Sequence, residues 1–270
     1  KGFAHIGVIK ALLESGVPID MIGGTSMGSI IGSLHAMGHL SEAMIRINRQ
    51  CWVDTHPMRD WTIPVVSVLR GSVLERAFAA VYGDLLVEDL WLDFFAISTN
   101  LSRARMEIHD SGTVFHAARA SSSYPCLALP VLHNGEVCVD GGVVNNLPVD
   151  VMQARGARTL VAVDVSSGES SFRVDLPTMP SSWEVFWSRV LPFRTRIDVP
   201  TITDTLMALT TLSSQQRQEA TRRAVDLYLT PPTSGFGLLD FRKIDEIVEA
   251  GYRHTMDRLS GGAFPAIPST

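Results

Sequence analysis

Five residues, Gly24-Thr25-Ser26-Met27-Gly28, limit the fold of this 270-residue chain more than any other stretch. They follow a short apolar run, Ile19-Asp20-Met21-Ile22, and precede a helical pattern from Met27 to about Met37. A G-x-S-x-G sequence between a strand and a helix predicts a strained turn that pushes the serine hydroxyl outward. Gly24 and Gly28 let neighbouring backbone pass close. The helix behind the turn aims its N-terminus at Ser26 and favours negative charge there. The plain alternative is a glycine-rich turn in which Ser26 only caps the helix.

The rest of the chain alternates between the two periodicities. Ile6, Ile9, Leu12 and Leu13 fall at helical spacing over 3–15, with Gly16 as the stop. Further helices are expected over 41–52, 71–82, 113–122 and 148–155. Strands are expected over 94–100 and 105–109. Asn134-Gly135 predicts a tight hairpin between 129–132 and 136–139. Thr159–Val165 is an apolar strand suited to a sheet covered on both faces. A Ser/Pro/Gly-rich loop is expected over 166–180. After it come helices over 183–190 and 201–224, a strand over 225–229 and a helix over 240–259. The alternation predicts a single α/β domain over 1–260, with a mainly parallel central sheet flanked by helices on both faces. A flexible tail is expected over 261–270. The chain has no initiator Met and enters a helix at once, where a strand would be expected first, so a domain that continues upstream is the expectation.

Composition narrows the function classes. With 46% hydrophobic and 19% charged residues the chain can bury a core, which excludes a disordered protein. A net charge of −5 and a pI near 5.9 argue against a nucleic-acid surface. No apolar run nears the roughly 18 residues of a spanning helix. Cys51, Cys126 and Cys138 are odd in number and scattered, so they are expected to be reduced, buried thiols in a cytoplasmic chain.

A serine nucleophile needs a base, most often histidine. Here the histidines are badly placed. His35 and His39 follow Ser26 on the same helix and lack the glutamate of a zinc H-E-x-x-H, so no metal is implied. His254 falls on a late helix. Asp140 is the better candidate. It ends the hairpin strand before Gly141-Gly142, and a carboxylate touching Ser26 could take its proton if burial raised its pKa. Alone, Asp-Gly-Gly is an ordinary turn.

Three segments together resemble the patatin-like phospholipases, and within them the neuropathy-target-esterase branch of lysophospholipases. They are Lys1-Gly2-x-x-His5-Ile6-Gly7-Val8, Gly24-Thr25-Ser26-Met27-Gly28 and Asp140-Gly141-Gly142. Asp89-Leu90-Trp91-Leu92, Ala120-Ser121 to Pro125, and Asn145-Asn146-Leu147-Pro148 extend the similarity to nearly the whole chain. The resemblance implies a Ser-Asp dyad without histidine. Ser26 would be the nucleophile and Asp140 the base, forming and then hydrolysing an acyl-enzyme of a (lyso)phospholipid. It implies no cofactor. It also implies a glycine-rich oxyanion loop, of which Lys1 and Gly2 are the last residues. Elbow geometry adds the Met27 N–H as an oxyanion donor. Such relatives often carry an upstream cyclic-nucleotide-binding domain and associate with membranes, so lipid substrate, such a domain in the parent chain, and a peripheral membrane location are the expected partners and place.

Trp183, Phe186 and Trp187, continued by Val190 and Leu191, form one helix face with Arg189, Arg194 and Arg196 nearby. Such a stripe suits a lipid interface, although stripes of this kind more often pack on a core. Three rival functions stand beside hydrolysis. They are acyl transfer to another lipid, a catalytically silent lipid-binding module, and an α/β-hydrolase using His254.

Overall fold

A computed structural model describes residues 1–166, 178–191, 219–237 and 240–262, with positions 197, 199, 205 and 208 between them. Most of the expected loop over 166–180, most of the helix over 201–224, Arg194, Arg196 and nearly all of the tail lie outside the described residues.

The chain opens with α1 (Ala4–Glu14), followed by β1 (Met21–Thr25) and α2 (Met27–Ala36). α3 (Ser41–Arg49) runs into a π-helical turn over Gln50–Asp54, and α4 spans Ser72–Tyr82. Next come β2 (Asp93–Asn100), β3 (Arg105–His109), α5 (Val114–Ser121), β4 (Val131–His133) and β5 (Glu136–Asp140). α6 (Val149–Ala154), β6 (Val161–Val163), α7 (Ser182–Val190), β7 (Leu227–Leu229) and α8 (Ile244–Ser260) complete the described elements.

β2 is the hub of the main sheet. It pairs parallel with β1 and antiparallel with β3 and β5, and β4 joins β5 as the expected hairpin. Asn134 and Gly135 both have positive φ, 52° and 79°, the backbone that a two-residue turn requires. A separate parallel pair joins β6 to β7. The fold is α/β as expected, but the sheet is mixed. The hairpin and the short β2–β3 return bring antiparallel strands where the sequence suggested mainly parallel ones.

Helices cover both faces of β2, as its alternation shows. Phe94 and Ala96 join the main core with Ile6, Ile30, Ile31, Phe78 and Ala117. Phe95 and Ile97 face the other way, onto Val151 and Met152 of α6. Each buried Ile, Val or Phe among them contributes about 1.5–3 kcal/mol. α1 serves two clusters, with Ile6 and Ile9 in the main core and Val8 and Leu12 against Leu227 and Leu229 of β7. α1 and α8 cross in backbone contact, because a Cβ on Gly7 would collide with the Val248 carbonyl and one on Gly251 with that of Ala4.

All three cysteines are free. Cys51 and Cys138 are buried as expected, but Cys126 is exposed, since it lies in an irregular segment at φ 66° rather than in a core element.

Candidate active site

Ser26 sits between β1 and α2 at φ 55°, ψ −126°. A non-glycine residue there carries about 1–3 kcal/mol of strain, which the surrounding packing must hold. Gly24 makes the turn feasible, because a Cβ on it would strike the Gly28 backbone. Gly28 itself has room, since its Cβ would meet only His5 Nε2 at 3.8 Å. The Ser26 carbonyl accepts from the Ser29 N–H at 3.0 Å and the Ser29 hydroxyl at 2.7 Å. The Ser26 N–H donates to Ser121 Oγ at 3.0 Å. Met27 and Gly28 open α2, where helix N–H groups have no intrahelical acceptor. Gly2 packs directly on Met27, so closely that a Cβ on Gly2 would overlap the Met27 side chain.

Asp140 ends β5 opposite Ser98 of β2 and is 3% exposed. Its N–H donates to the Ser123 carbonyl at 2.8 Å, and its carbonyl accepts from Thr99 Oγ1 at 2.9 Å. Asp140 Oδ1 accepts from the Gly142 N–H at 2.8 Å. Gly141 cannot be larger, because a Cβ there would run into the Ile97 carbonyl. Asp140 Oδ2 is buried and makes no well-formed hydrogen bond among the described residues. Burial pushes the Asp140 pKa up to about 6, opposed by the Ser26 side chain beside it and by the Gly142 N–H. The serine and the carboxyl therefore face each other in a loose contact, a common geometry before substrate binds. A carboxylate with a pKa near neutrality can accept a hydroxyl proton at pH 7. The helix N-terminus can stabilise the negative charge that results.

The sequence-predicted residues Gly2, Gly24, Ser26, Met27, Gly28, Asp140, Gly141 and Gly142 thus converge in one place. His254 does not join them, since its Nε2 accepts the Thr230 N–H at 3.1 Å. His35 is buried in α2. His5 lies near the elbow, with Nε2 3.8 Å from where a Cβ on Gly28 would sit, and burial pushes its pKa down to about 4.

Sequence reasoning assigned no role to α5, yet α5 supplies Ser121 to the Ser26 backbone. Arg119 of α5, itself buried, donates to Ser123 Oγ at 2.9 Å and to Glu75 at 3.0 Å. The loop after Asp140 is pinned to β1, because Thr25 Oγ1 donates to the Asn145 carbonyl at 2.8 Å. Asn145 Nδ2 in turn donates to Asp150 at 2.7 Å. A cavity of about 210 Å³ opens beside this loop, bordered by Asn145, Leu147, Val149, Asp164 and Tyr228.

The aromatic stripe on α7 is outside the core. Trp183, Phe186 and Trp187 are 70%, 49% and 43% exposed. The helix is held by a capping box between Ser181 and Glu184. A second apolar segment was not anticipated. Trp61, Ile63, Val65 and Val66 are all exposed on a loop whose base is hydrogen-bonded at Val68 and Leu69 to the Cys126 and Leu127 carbonyls. Among the described residues, no helix is long and apolar enough to cross a membrane.

Comparison with known proteins bears on the family and the fold. A family profile described as patatin-like phospholipase matches residues 1–152. Patatin-like phospholipase domain-containing protein 6 of Homo sapiens is 34% identical over 262 residues, covering 94% of this chain and 19% of that protein. Lysophospholipase NTE1 of Yarrowia lipolytica is 36% identical and covers 99% of the chain and 19% of its own length. Lysophospholipase nte1 of Aspergillus fumigatus is 38% identical, at 93% and 17%. The chain thus spans about a fifth of the length of these curated relatives. Among solved structures, VipD from Legionella pneumophila aligns with a TM-score of 0.51 at 14% identity, covering 96% of this chain and 65% of that one. That likeness concerns the fold alone.

Proposed function

Because the chain belongs to the patatin-like phospholipase family, we propose that it hydrolyses acyl ester bonds of lipids, lysophospholipids foremost, through Ser26 and Asp140. Ser26 Oγ attacks the ester carbonyl while its proton passes to Asp140. The tetrahedral oxyanion lies against the N-terminus of α2, with the Met27 N–H and the backbone at Gly2 as donors. Asp140 returns the proton to the leaving alcohol. It then takes one from the water that releases the fatty acid.

The observation that carries this reading is the buried Asp140 carboxyl, facing Ser26 with its pKa raised to about 6. The names of the relatives support the lipid substrate. Residues 1–260 act as one catalytic domain. The parent chain carries further domains upstream, a cyclic-nucleotide-binding domain being the expected kind. Trp183, Phe186 and Trp187 hold the enzyme at a lipid surface, where exposed Trp and Phe sit well. The enzyme is then cytoplasmic and peripheral to the membrane.

The test is release of fatty acid from lysophosphatidylcholine by the protein and by Ser26→Ala. Loss of turnover in the variant is expected, and retained turnover overturns the assignment. Adding an alcohol acceptor and analysing products separates hydrolysis from acyl transfer.

A further inference from the structure

Three histidines converge on the sheet face that carries Asp140, yet the proposed chemistry uses none of them. His109 ends β3, His116 lies on α5 and His133 ends β4. One ring nitrogen from each lies within 4.8 Å of the other two. His116 Nε2 and His133 Nδ1 are 3.0 Å apart, and the ring centroids are separated by 4.9 to 5.6 Å. His109 is 3% exposed, while His116 and His133 are half-buried and reachable from solvent. Ser98 Oγ lies 2.7 Å from His109 Nε2 and fixes that ring. With His109 ligating through Nδ1, this contact is the outer-shell support usual for a metal-ligating imidazole.

We propose that His109, His116 and His133 form a binding site for a divalent transition metal of the zinc class. Three imidazoles with a fourth position open to water are a donor set that suits zinc. Metal–nitrogen bonds of about 2.0–2.1 Å put tetrahedral ligand atoms roughly 3.3–3.4 Å apart. The His116–His133 pair is already closer than this, and the remaining separations, none above 4.8 Å, close by up to about 1.5 Å through ring movement.

The placement also says what the metal does. It ties together three elements that hold the dyad. Ser98, bonded to His109, is the register partner of Asp140. α5 carries Ser121, the acceptor for the Ser26 N–H. β4 pairs with β5, which ends in Asp140. The ion is a clip behind the site and takes no part in ester cleavage, so the proposal stands whether or not the chain is an esterase.

The experiment uses protein purified without a polyhistidine tag, stripped with chelator and dialysed. Zn²⁺ is titrated by calorimetry, and Co²⁺ by its visible absorption. One equivalent per chain is expected, with a four-coordinate Co²⁺ spectrum. Tm should rise by roughly 5–10 °C at a hundredfold excess over Kd. His116→Gln/His133→Gln, folded by circular dichroism, should bind at least about 100-fold more weakly. His133→Gln alone, at the half-buried hairpin, serves if the double variant does not fold. Less than one equivalent bound to the unmodified protein overturns the proposal. So does binding that the substitutions leave unchanged, which would place the metal at the other histidines.

Discussion

Replacing Asp140 with asparagine should make the protein more stable and nearly inactive at once. The carboxyl is buried and its pKa rises from an ordinary 3.8 to about 6. The folded state thus holds the proton more tightly than the unfolded chain does. Stability contributed by this group is fully present below about pH 4. It is lost as pH climbs through about 6, at a slope of up to about 1.4 kcal/mol per pH unit. By pH 7.5 the ionised carboxylate costs about 3 kcal/mol. The substituted amide carries no charge, and its oxygen can still accept the Gly142 N–H bond that Asp140 Oδ1 accepts now. Its N–H group can donate to the Ser26 hydroxyl, which keeps the pair filled but leaves no base. Urea unfolding at pH 4 and at pH 7.5 measures the first effect. The variant should gain about 2–3 kcal/mol at pH 7.5, gain little at pH 4, and lack the wild-type pH slope between them. Its esterase rate should fall about 10²–10⁴-fold, the usual worth of a general base. An unchanged pH slope in the variant, or lower stability at pH 7.5, would refute the claim that Asp140 is held as a strained, near-neutral base.

Further outcomes follow from the same geometry. The pH profile of kcat/KM should rise through an apparent pKa near 6 and level off above it, since Asp140 must be ionised in the free enzyme. A profile flat from pH 5 to 8 would count against it. Gly141→Ala forces a methyl group against the Ile97 carbonyl and should cost about 1–3 kcal/mol while displacing Asp140. Calorimetric Tm and turnover should fall together. Trp183→Ala/Trp187→Ala should weaken vesicle binding roughly 10- to 100-fold, from the apolar area removed at ~25 cal/mol per Å², and leave hydrolysis of a short soluble ester unchanged. Equal loss in both assays would place these side chains in the fold or the site instead.

The elbow, the Asn134-Gly135 hairpin and the position of Asp140 at a strand end were legible because each depends on local backbone chemistry. Glycine at a close approach, two positive-φ residues in a turn, and a period that switches from 2 to 3.6 all leave marks in a short window. What could not be read was non-local. Ser121 reaches the Ser26 N–H across 95 residues, and no spacing rule announces that pairing. The mixed sheet arises because β2 pairs with three different strands, which a strand pattern alone does not specify. The α7 stripe has the same periodicity whether it faces a core or solvent, and only packing decides. The three histidines of the cluster gave no signal, because they come from two strands and a helix brought together by the fold.

The central claim is that Ser26 is a nucleophile activated by Asp140, and intact-mass labelling with a fluorophosphonate tests it most directly. The account predicts a single adduct per chain that disappears in Ser26→Ala and forms much more slowly in Asp140→Asn. A folded protein that takes no adduct, or one that labels equally well in Ser26→Ala, would contradict it.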